Sequence, residues 1–419
     1  MRRPSARRPC RAAPELPRTA VERAGMKGQP SPGGTAGQRP TAPTGERFAS
    51  ARGRALPSLL RSTISNPVCP MPVCPMTDDI LIRKTGRAGR ITLNRPQALN
   101  AVTWEMCLAI ERALDAWRDD GEVALVVIDA AGERAFSAGG DIAEMYRTAS
   151  TGDYAYGRRF WADEYRMNAK IANYPKPYVA FMQGFTMGGG VGVSCHGAHR
   201  IVGDSSRIAM PECGIGLVPD VGGSLLLARA PGRLGEYLGT TGMRMGPGDA
   251  LHAGFADHYI PETRWPALIE ALERTGDPTL IAAAAHPAPE SPLKALRPEA
   301  DALFAGETIA DIVRALNHAG TDFARATLKT LRRHCPLSLA CTLEIIHRVR
   351  AENTIEAALK QEYRFAWRAA EKGDFVEGIR AAIIDKDRNP KWQHAAIEDV
   401  SEAEVSAMLM PLGENALKL

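Results

Sequence analysis

Short apolar segments alternate with amphipathic segments between residues 80 and 260, and this alternation limits the fold more than any other feature. Residues 80–83 and 90–93 predict two strands joined by a glycine-containing turn. Residues 123–128 form a continuous apolar segment, which is typical of a strand buried on both faces. Strands and helices that alternate at this spacing predict repeated ββα or βαβ units and an α/β core.

Helix signals separate and follow these strands. Thr103 can cap a helix that runs to about residue 117, and a longer helix over about 154–173 stops before two prolines. Further strands are predicted at 178–181 and near 200–202 and 207–209. After about residue 261 the strand signal stops. Later apolar residues lie four apart behind a possible cap at Thr354, so we predict a helical C-terminal region: Ile355, Leu359, Tyr363 and Trp367.

The first 75 residues differ in composition from the rest. They hold 13 of the 30 prolines and 13 basic residues against three acidic ones, a net charge of +10, whereas the remainder has a net charge of −6. Such a segment buries too little apolar surface to fold. We interpret residues 1–75 as a disordered leader or a mis-started extension with translation beginning at Met76, residues 76–262 as the α/β core and residues 263–419 as the helical region.

The same composition bears on partners and compartment. The basic excess belongs to the leader, so nucleic-acid binding is not expected, and the absence of 18 consecutive apolar residues excludes a membrane span. The eight cysteines lack paired CxxC spacing, which argues against a zinc scaffold or a dense disulfide framework. We expect a cytoplasmic protein, or a mitochondrial one if the arginine-rich leader is a transit peptide.

Two glycine-rich segments stand out. In residues 136–141, Gly139 and Gly140 permit a tight turn, and Asp141 can cap the following helix. In residues 187–192, four glycines in five positions each weaken a helix by ~1 kcal/mol relative to alanine. Their presence indicates that either a ligand or a packed element approaches the backbone closely. Both nucleotide-binding motifs fail, because GxxxxGK[ST] is absent and Val193 replaces the last glycine of GxGxxG.

Isolated carboxylates mark a third segment, residues 210–223. Glu212 and Asp220 lie among apolar, glycine and proline residues, where a raised pKa suits acid–base chemistry. Asp220 also fits a helix cap. His196 and His199 form an HxxH without an HExxH or a third ligand, so we interpret them as structural, and no metal is expected.

Together these segments resemble the crotonase (enoyl-CoA hydratase/isomerase) superfamily. The similarity covers about residues 78–400 and rests on residues 91–101, 138–141, 188–190 and 222–223. The branch of 3-hydroxyisobutyryl-CoA hydrolases is the most similar, through residues 164–168, 174–178, 187–192, 210–212, 216–223, 374–381 and 385–387. This resemblance implies a spiral of stacked ββα units, with C-terminal helices that cover the acyl end.

The resemblance also implies roles for individual residues. Backbone amides of Ala138 and Gly189 would form an oxyanion hole for the thioester oxygen. Glu212 would be the main catalytic carboxylate and Asp220 would assist it. The expected substrate-binding residues are Glu164, Gly188, Gly139, Gly140, Asp141 and Ala98.

One departure from the superfamily pattern separates two reactions. Hydratases of this type carry a glutamate shortly after the glycine run, where this chain has Gly192. We therefore expect hydrolysis of a small 3-hydroxyacyl-CoA, 3-hydroxyisobutyryl-CoA of valine breakdown first, and keep enoyl-CoA hydration or isomerisation as the alternative. Glu212 would act as a general base or as a nucleophile that forms an anhydride. No separate cofactor is expected, since CoA is part of the substrate, and the resemblance allows a homo-oligomer.

Overall fold

Two β-sheets form the first half of the described structure. The computed structural model describes residues 78–419. The strands in this part are β1 Ile80–Thr85, β2 Ala88–Leu93, β3 Leu125–Ala130, β4 Ala135–Ser137, β5 Tyr178–Met182, β6 Phe185–Met187, β7 His199–Val202, β8 Arg207–Ala209 and β9 His258–Tyr259. A six-stranded sheet has the order β1-β2-β3-β5-β7-β9 and a three-stranded sheet the order β4-β6-β8. All pairs within these sheets are parallel except the β1–β2 hairpin.

Helices follow the strand pairs and then fill the C-terminal part. They are α1 Trp104–Arg118, α2 Ala143–Ala149, α3 Ala155–Ala172, α4 Gly189–Ser194, α5 Gly223–Arg229, α6 Leu234–Thr241, α7 Pro247–Ala253, α8 Trp265–Thr275, α9 Thr279–Ala284, α10 Pro292–Leu303, α11 Ile309–Ala319, α12 Asp322–Leu331, α13 Pro336–Glu352, α14 Ile355–Lys372, α15 Phe375–Ile379 and α16 Glu402–Leu409. None is long and apolar enough to cross a membrane.

Successive turns of the chain build a spiral. The strand pairs β3–β4, β5–β6 and β7–β8 each give one strand to the large sheet and one to the small sheet, and a helix follows each pair. The predicted spiral of ββα units with a helical C-terminal region is therefore confirmed. The sequence patterns did not reveal the three-residue strands β4 and β6, although they predicted β8, which is equally short.

The strands of the large sheet are buried on both faces, as the apolar segment at 123–128 predicts. In β3, Val126 and Ile128 face a large core shared with the C-terminal helices. Leu125 and Val127 face a smaller core on the opposite side, closed by Trp265 of α8. Alternate residues of one strand thus anchor two layers, which fixes the register of the sheet.

The predicted helix starts are capped as expected. Thr103 accepts a hydrogen bond from the amide of Met106 at the start of α1, and Thr354 accepts one from Ala357 at the start of α14, both at 3.2 Å. α14 packs against α3 and α5, so it connects the C-terminal region to the helices that follow the strands. The predicted leader lies outside the described residues, and the boundary at 262/263 stays a prediction.

Candidate active site

The glycine run lies where β6 turns into α4. Gly188 connects them with φ +48°, a backbone conformation that favours glycine. A Cβ atom on Gly188 would lie 2.8 Å from Oε1 of Glu212, and one on Gly189 would lie 3.0 Å from Oε1 of Glu164. Two carboxyl groups therefore contact the backbone of consecutive glycines. The predicted close approach is present here, and side chains would exclude it.

Other glycines of the run serve packing, the alternative that the sequence left open. A Cβ on Gly190 would lie 2.7 Å from the carbonyl oxygen of Ser137 in β4. A Cβ on Gly192 would lie 2.7 Å from Cβ of Val221 and 2.8 Å from Nδ2 of Asn168. The run thus allows two close approaches at once, one for carboxyl groups and one for neighbouring elements.

The loop after β4 faces this run and carries a free amide. The amides of Ala138, Gly139 and Asp141 donate to the Leu99 carbonyl at 2.9 Å, the Ser137 hydroxyl at 3.3 Å and the Val102 carbonyl at 2.8 Å. Among residues 78–419, the Gly140 amide has no such acceptor, and its nitrogen lies 3.1 Å from the position of a Cβ on Gly189. The expectation that Ala138 supplies an oxyanion donor therefore requires correction, because its amide is occupied and the free amide of this loop is that of Gly140.

Asp141 and Ala98 lie at the edge of this loop. Asp141 forms an ion pair with Arg95 at 3.1 Å, while its distance to the amide of Ala143 is 3.4 Å. The ion pair connects the loop to the segment after β2, whereas the hydrogen bond that would cap the helix is long. Ala98 ends a 3-10 helix, Pro96–Ala98, and is half-buried. Substrate contacts of both residues stay predictions.

Three carboxyl groups converge on the glycine run from separate elements. Glu164 belongs to α3, Glu212 opens the 3-10 helix Glu212–Ile215 after β8, and Asp220 precedes α5. All three are buried. The hydroxyl of Tyr165 donates to Asp220 at 2.8 Å. Asp220 is therefore not the cap of α5, because its carboxylate points to α3 instead.

Burial without a cation governs the electrostatics of this cluster. Burial, reinforced by the charge of Asp220, raises the pKa of both Glu212 and Glu164 well above their ordinary value. Burial also raises the pKa of Asp220 to about 7, although the Tyr165 hydroxyl opposes this effect. Because Asp220 influences both glutamates, the three groups titrate as one coupled system.

A buried acid outside this cluster shows that burial alone does not determine whether the pKa is raised. Glu236 in α6 is fully buried, like Glu212, but it accepts hydrogen bonds from Arg350 and Arg233. Burial by itself raises its pKa, yet the basic side chains around it hold the pKa of Glu236 at about 2. Unlike Glu236, the acids at the glycine run have no basic partner among the described residues, which is typical of a functional site.

Sequence reasoning missed three residues of this region. Tyr165 and Asn168 lie in a segment used for the family resemblance but received no role. Asn168 is fully buried, and neither atom of its amide has a hydrogen-bond partner among the described residues. Glu362 of α14 was also missed, although it lies seven residues after Ile355 on the apolar face of its helix. A glutamate on such a face is a signal that the sequence contains.

The comparison with known families agrees with this geometry. The family model described as Enoyl-CoA hydratase/isomerase matches residues 88–409. The chain belongs to the enoyl-CoA hydratase/isomerase family. The matched region includes the loop after β4, the glycine run, all three carboxyl groups and most of the C-terminal helices.

Relatives in this family carry two kinds of name. The chain is 37% identical over 360 residues to a mitochondrial 3-hydroxyisobutyryl-CoA hydrolase of Gallus gallus, which covers 83% of this chain and 93% of the relative. The corresponding enzyme of Homo sapiens is 36% identical, with 81% and 91% covered. A solved structure titled enoyl-CoA hydratase, from Rhodobacter sphaeroides 2.4.1, is 57% identical with a TM-score of 0.78, covering 81% of this chain and 100% of that one. Another, titled carnitinyl-CoA dehydratase, from Mycobacterium thermoresistibile, is 42% identical with a TM-score of 0.77, covering 80% and 97%.

The buried carboxyl groups predict how stability depends on pH. Their raised pKa values mean that the folded chain binds more protons than the unfolded chain between about pH 4 and pH 7. The free energy of unfolding therefore falls as pH rises through this range, by about 1.4 kcal/mol per pH unit for each such group. We expect Asp220→Asn to reduce this slope in urea unfolding between pH 5 and pH 8. Glu133→Gln, at an exposed position, should keep the wild-type slope. Equal slopes in all three proteins would contradict the assignment.

Proposed function

We propose that this protein hydrolyses the thioester of a small 3-hydroxyacyl-CoA, with 3-hydroxyisobutyryl-CoA as the substrate and 3-hydroxyisobutyrate and CoA as products. The names of the Gallus gallus and Homo sapiens relatives, more than nine-tenths of whose length is covered, support this substrate. The observation that carries the proposal is the buried Glu212, which lies against the backbone of the glycine run and whose Oε2 has no hydrogen-bond partner among the described residues. The reaction would belong to valine breakdown.

Backbone amides would polarise the thioester. Gly189 begins α4, so its amide has no intrahelical acceptor, and the Gly140 amide is also free of an acceptor in the part of the chain described. Two such donors stabilise the negative charge that develops on a thioester oxygen during attack. The loss of one donor from an oxyanion hole typically costs about 3 kcal/mol of transition-state stabilisation.

Glu212 would deliver the attack. As a carboxylate it either takes a proton from water, which adds to the carbonyl carbon, or adds itself to form an anhydride that water then cleaves. In both routes the tetrahedral intermediate collapses by breaking the carbon–sulfur bond, and CoA leaves as the thiolate. Asp220 would raise the proton affinity of Glu212 through its charge, which makes Glu212 a stronger base.

The acyl group would meet polar atoms that have no protein partner. Oε1 of Glu164 and both atoms of the Asn168 amide are buried and unpaired among the described residues. Glu164 and Asn168 lie four residues apart on one face of α3, which faces α4. Because unpaired buried polar groups are costly, we propose that Glu164 binds the substrate's 3-hydroxyl group, with Asn168 beside it.

Enoyl-CoA hydration is the second candidate, because two similar solved structures carry the titles hydratase and dehydratase. Hydration across a double bond favours two acid–base groups that flank the water. The position of the first glutamate of hydratases is Gly192 here, and Val221 and Asn168 fill the space beside it. This packing supports hydrolysis over hydration.

Restoring that glutamate tests the packing. In Gly192→Glu the new Cβ would lie 2.7 Å from Cβ of Val221, so neighbouring atoms must move. We expect a lower urea midpoint and no hydration of crotonyl-CoA, followed as loss of enoyl absorbance. Gly246→Glu is the control for the added charge, since a Cβ there meets no atom within 4 Å. Efficient hydration by Gly192→Glu would contradict the argument.

The catalytic role of Glu212 is tested by its amide. Glu212→Gln preserves size but can neither accept a proton nor attack, so we expect kcat to fall by roughly 10²- to 10⁴-fold. Free thiol release from 3-hydroxyisobutyryl-CoA measures the rate, and enoyl absorbance of crotonyl-CoA reports the competing reaction. Glu133→Gln serves as the matched control at an exposed position. Near wild-type thiol release by Glu212→Gln would disprove the assignment.

The subcellular location of the protein is a separate proposal. The names of the Gallus gallus and Homo sapiens relatives place those enzymes in mitochondria, which does not support the cytoplasmic expectation. A mitochondrial location agrees with these names and with the arginine-rich composition of residues 1–75. We therefore propose the mitochondrial alternative, and localisation of the full-length chain with and without residues 1–75 would test it.

A further inference from the structure

The residue after Asp220 has an unusual backbone. Val221 has φ +54°, in the left-handed region that a β-branched residue rarely adopts. Its side chain packs over Gly192, and Gly222 follows as the cap of α5. A backbone of this kind persists only when its surroundings hold it, and such positions occur at functional sites. Two side chains hold this one, the half-buried His196 and the buried Glu362, and the mechanism above uses neither.

His196 holds one side of the segment. Its Nε2 lies 2.8 Å from the carbonyl oxygen of Val221, and since a carbonyl can only accept, Nε2 donates the proton. The ring also lies under Gly222, where a Cβ would be 2.7 Å from Nε2. Burial lowers the pKa of His196 to about 4, so the ring is neutral near pH 7.

Glu362 holds the other side from the C-terminal region. Its carboxylate accepts the amides of Gly222 at 2.8 Å and Ser224 at 3.0 Å, and also the hydroxyl of Ser224. These are the first free donors of α5. His196 therefore bonds the carbonyl of Val221, and Glu362 bonds the next amide, that of Gly222.

The backbone of Val221 affects the direction of the Asp220 side chain. With the backbone of Val221 fixed, the carboxylate of Asp220 faces α3, where it accepts the Tyr165 hydroxyl at 2.8 Å. If Val221 relaxed to a negative φ, the preceding side chain would change direction. The pairing with Tyr165 thus occurs together with the left-handed conformation of Val221.

We infer that His196 and Glu362 are positioning residues for the thioester reaction, which together hold Val221 in its left-handed conformation and so direct Asp220 towards Glu212. The inference rests on the proposed function for its kinetic consequence but not for its structural one. It assigns a role to one histidine of the HxxH and gives α14 a part in the site.

Two substitutions of His196 separate positioning from simple packing. His196→Leu removes the donor at similar size, whereas His196→Gln can place an amide N–H near the Val221 carbonyl. We expect kcat for thiol release to fall at least 10-fold in His196→Leu with KM changed less than threefold, and to recover largely in His196→Gln. His199→Leu is the matched control, because His199 is half-buried and stacks on His258 away from this segment.

Crystal structures of the same variants test the inference without the reaction. We expect Val221 to leave positive φ and Asp220 to lose Tyr165 in His196→Leu, and both to be retained in His196→Gln. Retention of both features in His196→Leu would overturn the inference whatever the activity. An inactive wild-type enzyme would instead overturn the proposed function alone. If His196→Leu does not fold, Glu362→Gln carries the same two measurements, since it places an NH₂ group against the amides that Glu362 accepts.

Discussion

The removal of several carboxyl groups from water without a neutralising cation is the constraint on which this structure depends. Glu164, Glu212 and Asp220 are buried together, and Glu362 lies behind them. A buried charge without a partner is costly, so such groups hold their protons to higher pH. Glu236 shows the ordinary solution, because two arginines neutralise it. Among the described residues, the acids where the glycine run and the loop after β4 meet have no such neutralising cation.

Main-chain amides, rather than basic side chains, provide the groups that can stabilise negative charge at this place. Glycine at 188 and 189 lets Glu212 and Glu164 reach the backbone, and the spiral brings Gly140 to the same place from the preceding turn. Amides fixed by secondary structure cannot reorient as water does, so they favour a developing negative charge without a reorganisation cost. A fold built from stacked ββα turns is suited to this role because each turn ends one short strand near the same point.

Much of this arrangement was predictable from sequence. Alternating strands and helices predicted the α/β core, and the family resemblance implied the spiral. Isolated carboxylates in a glycine- and proline-rich segment drew attention to Glu212 and Asp220, which the structure buries beside the glycine run. The family resemblance implied the Ala138 amide as an oxyanion donor, but this amide is bonded to Leu99, almost forty residues earlier, and no local sequence pattern carries such information. Glu362 contacts the site across 138 to 140 residues of sequence. Only its place on an apolar helix face indicated burial.

The central claim is that the Gly140 and Gly189 amides hold the thioester oxygen while Glu212 faces the carbonyl carbon. A crystal structure with an analogue of 3-hydroxyisobutyryl-CoA in which a methylene replaces the sulfur tests it most directly, since this ketone keeps the carbonyl and cannot be hydrolysed. The account predicts the carbonyl oxygen about 2.7–3.1 Å from both amide nitrogens, with the Glu212 carboxylate beside the carbonyl carbon. A carbonyl oxygen bound elsewhere, or a Glu212 carboxylate turned away from that carbon, would contradict it.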